Sequence, residues 1–138
     1  MRYEDEFDAG AKYHVAADVP YVKYFTSYVY NFQFYKALCL ASGQYDPQDA
    51  SKPLHRCNFY GNRNAGDLLI KMLKMGSSKS WKEAMKVITG QPEMSTDAFR
   101  EYFKPLETWL QKENTKNGVI VGWENPPLNT FCQKQRPN

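Results

Sequence analysis

Histidine is scarce in this chain: His14 and His55 are the two present among 138 residues, and they stand far apart. A zinc-hydrolase helix needs two histidines one turn apart, with a glutamate beside the first as general base. No His-Glu-x-x-His run occurs, and no Cys-x-x-Cys exists to build a structural zinc site. A Gly-rich phosphate loop and a Gly-x-Ser-x-Gly nucleophile elbow are also missing. A cysteine–histidine pair assembled in space would leave no such motif, and the sequence gives no sign of one. The residues present therefore hold no metal of their own.

Charge of one sign is lacking too. The 18 basic and 15 acidic residues are scattered and leave a net charge of +3, too mild and mixed for a nucleic-acid surface. Lys71 and Lys74 fall on a solvated helix face. No apolar run is long enough to cross a membrane, because residues 19–41 are broken by Lys23, Asn31, Gln33 and Lys36. No signal peptide is expected within these residues: Met1 is followed by Arg2-Tyr3-Glu4-Asp5-Glu6, where a secretory signal needs an apolar core. No Asn-x-Ser/Thr acceptor occurs, so glycosylation says nothing of compartment.

Cysteine is sparse but informative. Cys39 and Cys57 flank a loop with Gly43, Pro47 and Pro53. A disulfide there would close about 17 residues, worth roughly 3 kcal/mol by chain entropy, and would imply an oxidising compartment. Two buried free thiols fit the same spacing, and spacing alone leaves both open. Cys132 is the odd one, either free or paired outside the chain. A secreted character without a signal, with a cysteine left over, leads us to expect that the beginning of the chain is missing.

What the chain has in quantity is aromatic rings: ten tyrosines, eight phenylalanines and three tryptophans. They fall at helical spacing, so the fold is expected to be mainly α. Tyr21, Tyr24, Phe25, Tyr28, Phe32, Tyr35 and Cys39 mark the clearest helix, capped by Asp18 with Pro20 in its first turn and stopped at Gly43. Val22, Val29, Phe34 and Leu38 extend its apolar surface round most of the circumference, which favours burial in a larger protein. A second helix covers residues 64–75. A third follows the capping box of Ser80 and Glu83, with Trp81, Ala84, Met85 and Ile88 inward, and stops at Gly90. A fourth is capped by Ser95, stapled by Met94 and Phe99, kinked at Pro105, and ends near Gly118. Residues 119–123 are expected to be extended and residues 124–138 to be a mobile tail.

Ahead of the first helix, residues 11–16 suit a short extended segment. Alternation would put Lys12 and His14 on one side of it. Tyr21 and Tyr24 share a side of the helix at its first turn. Only residues 15–20 separate the two pairs, so a cation, an imidazole and two phenols can converge on one hollow. The helix N-terminus adds a field favourable to an anion. Lys12 and Tyr21 would suit a peptide's terminal carboxylate, and the Tyr24 hydroxyl a developing oxyanion. The same residues also fit a plainer account of interior tyrosines, a solvated lysine and a core histidine.

Longer motifs bear on that choice. Phe7-Asp8-Ala9-Gly10-Ala11-Lys12-Tyr13-His14-Val15 is followed by Val19-Pro20-Tyr21-Val22-Lys23-Tyr24-Phe25 and Gln33-Phe34-Tyr35-Lys36-Ala37-Leu38-Cys39. Then come Pro53-Leu54-His55-Arg56-Cys57, Ile88-Thr89-Gly90-Gln91-Pro92, Tyr102-Phe103-Lys104-Pro105-Leu106 and Val121-Gly122-Trp123. In this order they resemble the angiotensin-converting enzyme family over about residues 5–123. The Gly43-Gln44-Tyr45-Asp46-Pro47 loop looks more like the arthropod enzymes.

The resemblance implies the C-terminal helical part of a larger, two-lobed zinc peptidase domain, occupying residues 1–123. The family removes C-terminal dipeptides from oligopeptides and is activated by chloride. By position, Lys12 and Tyr21 would bind the substrate carboxylate, His14 a substrate carbonyl, and Tyr24 the tetrahedral intermediate. Cys39 and Cys57 match a family disulfide. Lys23 stands where an arginine usually holds chloride, and it lacks the planar guanidinium fork. Tyr28 stands where phenylalanine commonly lines the pocket for the substrate's end. Zinc would be bound by protein upstream, so the chain alone is expected to be inactive. Its partners would be the remainder of the catalytic domain and oligopeptide substrates, and its parent would be extracellular. The rival reading is a short binding or regulatory protein derived from such an enzyme.

Overall fold

The computed structural model describes residues 8–122. Cys132, Phe7, Trp123 and the expected tail lie outside the described residues. Five α-helices are present, with no strand among the described residues: α1 Tyr13–Ala16, α2 Lys23–Ser42, α3 Arg63–Leu73, α4 Trp81–Thr89 and α5 Asp97–Lys116. Short 3-10 turns occupy Ala9–Ala11 and Leu54–Arg56. No described helix is long and apolar enough to cross a membrane. The chain divides into a unit of residues 1–103 and a second of residues 104–138.

The expected extended segment is not formed. The Asp8 carboxylate accepts the Gly10 N–H at 3.0 Å and starts a 3-10 turn. The chain then winds into α1, with Ala16 N–H on the Lys12 carbonyl and Ala17 N–H on the Tyr13 carbonyl. Alanine at four of residues 9–17 favours this over a strand. Asp18, at φ 52°, closes the turn instead of capping the next helix. Proline at position 20 keeps Val19 out of helical geometry, so α2 begins later than expected, at Lys23 with Val22 before it.

The first unit is built around the C-terminal half of α2. Gly43, in left-handed geometry at φ 71°, ends the helix and reverses the chain. Cys39 and Cys57 are joined by a disulfide, which settles the choice that spacing left open. Cys39, Tyr45, Leu54 and Cys57 form one buried cluster, packed by Tyr35, Phe59 and Tyr102. Leu38, Ala65 and Ile88 form a second, packed by Phe34, Leu68, Leu69 and Phe59. Phe59 touches both. A third set of rings stacks Phe32 against Phe99, Tyr102 and Phe103 at 5.0–5.5 Å.

Polar groups lock these layers. The buried Gln33 side chain donates to the Glu93 carbonyl at 3.1 Å and accepts the Ser95 N–H at 3.1 Å, so α2 holds the entry to α5. Glu101 takes the Lys36 ammonium on one oxygen at 2.7 Å and the Tyr45 hydroxyl on the other. Tyr35 donates to the Cys57 carbonyl at 2.6 Å. Burial first, and then the Glu101 carboxylate, push the Tyr45 hydroxyl far above its usual range. Burial, and then neighbouring Tyr102, raise Tyr35.

The remaining helices begin much as their sequences dictate. Asn62 caps α3 by accepting the Ala65 N–H. Ser80 and Glu83 form the full capping box of α4, and Gly90 ends it at φ 79°. The Ser95 hydroxyl accepts the Asp97 N–H at the start of α5. Trp81 departs from expectation: it is 55% exposed and sets its edge against Tyr30 at 6.0 Å instead of entering the core. Residues 119–122 carry no strand. The second unit contains the rest of α5, where Leu106, Trp109 and Leu110 are exposed, and Gly118 turns the chain at φ 61°.

Candidate active-site segment

Three of the four candidates meet. α1 presents His14, the connection presents Tyr21, and the first turn of α2 presents Tyr24. The Tyr21 carbonyl accepts the Tyr24 N–H at 3.1 Å, so the two phenols keep their three-residue relation although Tyr21 precedes the helix. The Val19 N–H donates to the His14 carbonyl at 2.8 Å and folds α1 back toward α2. His14 Nε2 then lies 3.0 Å from the Tyr24 hydroxyl oxygen. The imidazole centroid is 5.1 Å from the Tyr21 ring and 5.5 Å from that of Tyr24. Tyr13, adjacent in sequence, sets its edge against the same imidazole at 5.5 Å. Sequence reasoning gave Tyr13 no role beyond its place in a longer motif.

Lys12 does not join them. It opens α1, and residues two apart on a helix do not face one another, so the proposed alternation with His14 fails with the extended segment. Its ammonium makes no hydrogen bond or ion pair among the described residues. Lys23 is the first residue of α2, with its ammonium 5.9 Å from the Tyr24 ring centroid. Tyr28 lies one turn beyond Tyr24 and is 65% exposed.

This end of α2 is open. Tyr21 and Tyr24 are about half exposed, at 51% and 46%, and Val22 and Phe25 more so. No acidic residue occupies the first turn of α2, although Lys23 stands there. A cation at a helix N-terminus meets the positive end of the helix dipole, which an anion would offset. Further along, an apolar cleft of about 610 Å³ opens between α2 and α4, lined by Tyr30, Phe34, Trp81 and Met85 with Ser27 and Asn31 at its polar edge. That Tyr30 and Trp81 meet gave no signal in the sequence, because they sit on different helices, far apart along the chain.

Among the described residues no three His, Cys, Asp or Glu side chains come together as a metal would require. Nε2 of His14 is taken by Tyr24, and the sulfurs of Cys39 and Cys57 are bonded to each other.

The peptidase M2 family model, described as angiotensin-converting enzyme, matches residues 1–123. The chain is 51% identical over 122 residues to angiotensin-converting enzyme of Mesocricetus auratus, covering 88% of this chain and 9% of that protein. It is 45% identical over 123 residues to angiotensin-converting enzyme-related protein of Drosophila melanogaster, covering 89% of this chain and 20% of that protein. Angiotensin-converting enzyme-like protein Ace3 of Mus musculus is 46% identical over 122 residues, with 16% of its length covered. The chain thus spans a fifth or less of each of these relatives. Across nearly its whole length, it belongs to the angiotensin-converting enzyme family.

Proposed function

We propose that this chain is the substrate-gripping segment of a peptidyl-dipeptidase, an enzyme that removes C-terminal dipeptides from oligopeptides. The observation that carries the reading is the 3.0 Å approach of His14 Nε2 to the Tyr24 hydroxyl on an exposed surface, with Tyr21 beside them. Two hydrogen-bonding groups at that spacing can address adjacent oxygens of one peptide. The Tyr24 hydroxyl donates to the oxyanion of the tetrahedral intermediate. His14 donates to a substrate carbonyl. Tyr21 and Lys12 hold the terminal carboxylate, Lys12 by turning its unengaged ammonium toward it. Tyr28, one turn along the same side as Tyr24, lines the pocket for the substrate's last side chain. Lys23 is the candidate chloride ligand, and the uncompensated charge at the start of α2 supports an anion there.

The described residues bring together no donor set that fits the family's zinc. It would be held by protein outside this chain, which would be the partner that completes the cleft. The Cys39–Cys57 disulfide supports an extracellular parent.

A chimera tests this. Residues 1–123 replace the matching segment of an active family member, and release of C-terminal dipeptide is measured. The chimera is expected to cleave, and Tyr24→Phe to lower its kcat by about 100- to 1,000-fold, the usual effect of removing one oxyanion donor. The isolated chain should not cleave. A chimera unaffected by Tyr24→Phe, or an isolated chain that releases dipeptide, would overturn the proposal.

A further inference from the structure

The His14–Tyr24 bond has a direction, and that direction depends on protons. A neutral imidazole carries one donor and one acceptor nitrogen, whereas an imidazolium carries two donors. The bond uses Nε2. A phenol is a stronger acid than a neutral imidazole N–H, and an imidazole nitrogen is a stronger base than a phenol oxygen. With His14 neutral, the favoured arrangement is therefore Tyr24 O–H donating to Nε2, with the ring's hydrogen on Nδ1. The hydroxyl hydrogen is then consumed inside the pair, and the oxygen presents only lone pairs outward. With His14 protonated, Nε2–H must donate to the Tyr24 oxygen, and the hydroxyl hydrogen turns outward.

We propose that His14 is a positioning residue for Tyr24, setting by its protonation state whether the Tyr24 hydroxyl donates inward to the imidazole or outward to a ligand. The hydrogen-bond inversion stands on the geometry of this pair. Its use in stabilising an oxyanion rests on the proposed function above. The two fit together, because only the doubly protonated ring has one N–H for the Tyr24 oxygen and another for a substrate carbonyl.

The titratable and charged groups on the segments that meet here are Asp8 and Lys12 ahead of α1, Tyr13 of α1, Asp18 and Tyr21 of the connection, and Lys23 and Tyr24 of α2. No carboxylate hydrogen-bonds the imidazole among the described residues. Tyr24 is thus the polar partner that fixes the tautomer, while Tyr13 and Tyr21 contribute ring faces and edges.

The test uses the full 138-residue chain labelled with 15N-histidine and 13C-tyrosine, with His55→Gln to assign the imidazole signals. At alkaline pH, wild-type His14 is expected to carry its hydrogen on Nδ1, with Nε2 showing the shift of an unprotonated nitrogen. Tyr24→Phe should return the ring to the Nε2–H form that free histidine prefers. As pH falls, the Tyr24 Cζ signal should move together with protonation of His14. In His14→Gln, whose amide does not titrate, that signal should no longer move over the same pH range. A wild-type ring already in the Nε2–H form, or a tautomer unchanged by Tyr24→Phe, would overturn the proposal. A Cζ signal still moving in His14→Gln would do the same. None of these readouts depends on peptidase activity, so their failure is separable from failure of the chimera.

Discussion

The two ends of α2 are built on opposite plans. Its C-terminal half is tied down on every side, by the disulfide from Cys39, the ammonium of Lys36 on Glu101, the Tyr35 hydroxyl on Cys57, and the amide of Gln33 on the entry to α5. Its N-terminal turn shows half-exposed rings, no acidic residue, and, among the described residues, one side-chain bond reaching it from elsewhere, that of His14. Groups that must exchange partners with a ligand cannot also be fully satisfied by their own chain. The difference suggests that one end anchors the segment and the other is left available.

The largest expected effect breaks the anchored end. Replacing Cys39 and Cys57 by alanine frees a loop closed over a separation of 18 residues and should cost about 3 kcal/mol, read as a lower midpoint in urea unfolding. A midpoint within error of wild type would show that the loop is held by packing alone.

Next is Glu101→Ala, which strips Tyr45 of its acceptor and Lys36 of its counter-ion. It should cost about 1–3 kcal/mol, the penalty for stranding a buried partner. Tyr45→Phe, which removes the hydroxyl and leaves Glu101 with Lys36, should cost less.

The same groups set an alkaline limit. Tyr45 and Tyr35 hold their protons in the fold above the ordinary value of 10.0. The folded state therefore binds protons that the unfolded chain releases. Their contribution is complete below about pH 10 and is lost as pH rises through the raised folded range. Tyrosinate absorbance should reveal two late-titrating tyrosines whose ionisation coincides with loss of helix by circular dichroism. Ionisation of all tyrosines ahead of unfolding would contradict the raised values.

The smallest effect belongs to the open end. Tyr24→Phe and Tyr21→Phe should change stability by no more than about 0.5 kcal/mol, as exposed substitutions do. A loss above about 1 kcal/mol for either would mean that the open end is structural after all, and the contrast between the two ends would dissolve.

Helices α2 to α5 were legible because their signals are local. The Ser80–Glu83 box, Gly43 and Gly90 as stops, and the ring spacing along α2 each act within a few residues. Residues 11–16 misled for the opposite reason: a one-turn helix is too short to show a period, and its start depends on the Asp8 carboxylate and its end on Asp18 in a left-handed turn. That His14, Tyr21 and Tyr24 are neighbours was legible from their closeness in sequence, but they meet by a different route from the alternation expected, and that route does not bring Lys12 beside His14. The Gln33, Lys36–Glu101 and Tyr45–Glu101 contacts span more than fifty residues. Nothing in a local window announces them, since a lone glutamine or glutamate reads like any surface residue until the fold brings its partner near.

Phe59 lies against both the disulfide cluster and the cluster shared by α2, α3 and α4. One ring serving as a wall for two compartments leaves neither able to swell alone. Amide hydrogen exchange in α3 and in the loop closed by Cys57 should consequently proceed through a common opening. Trimming that ring to alanine would let the loop exchange quickly while the paired helices stay protected.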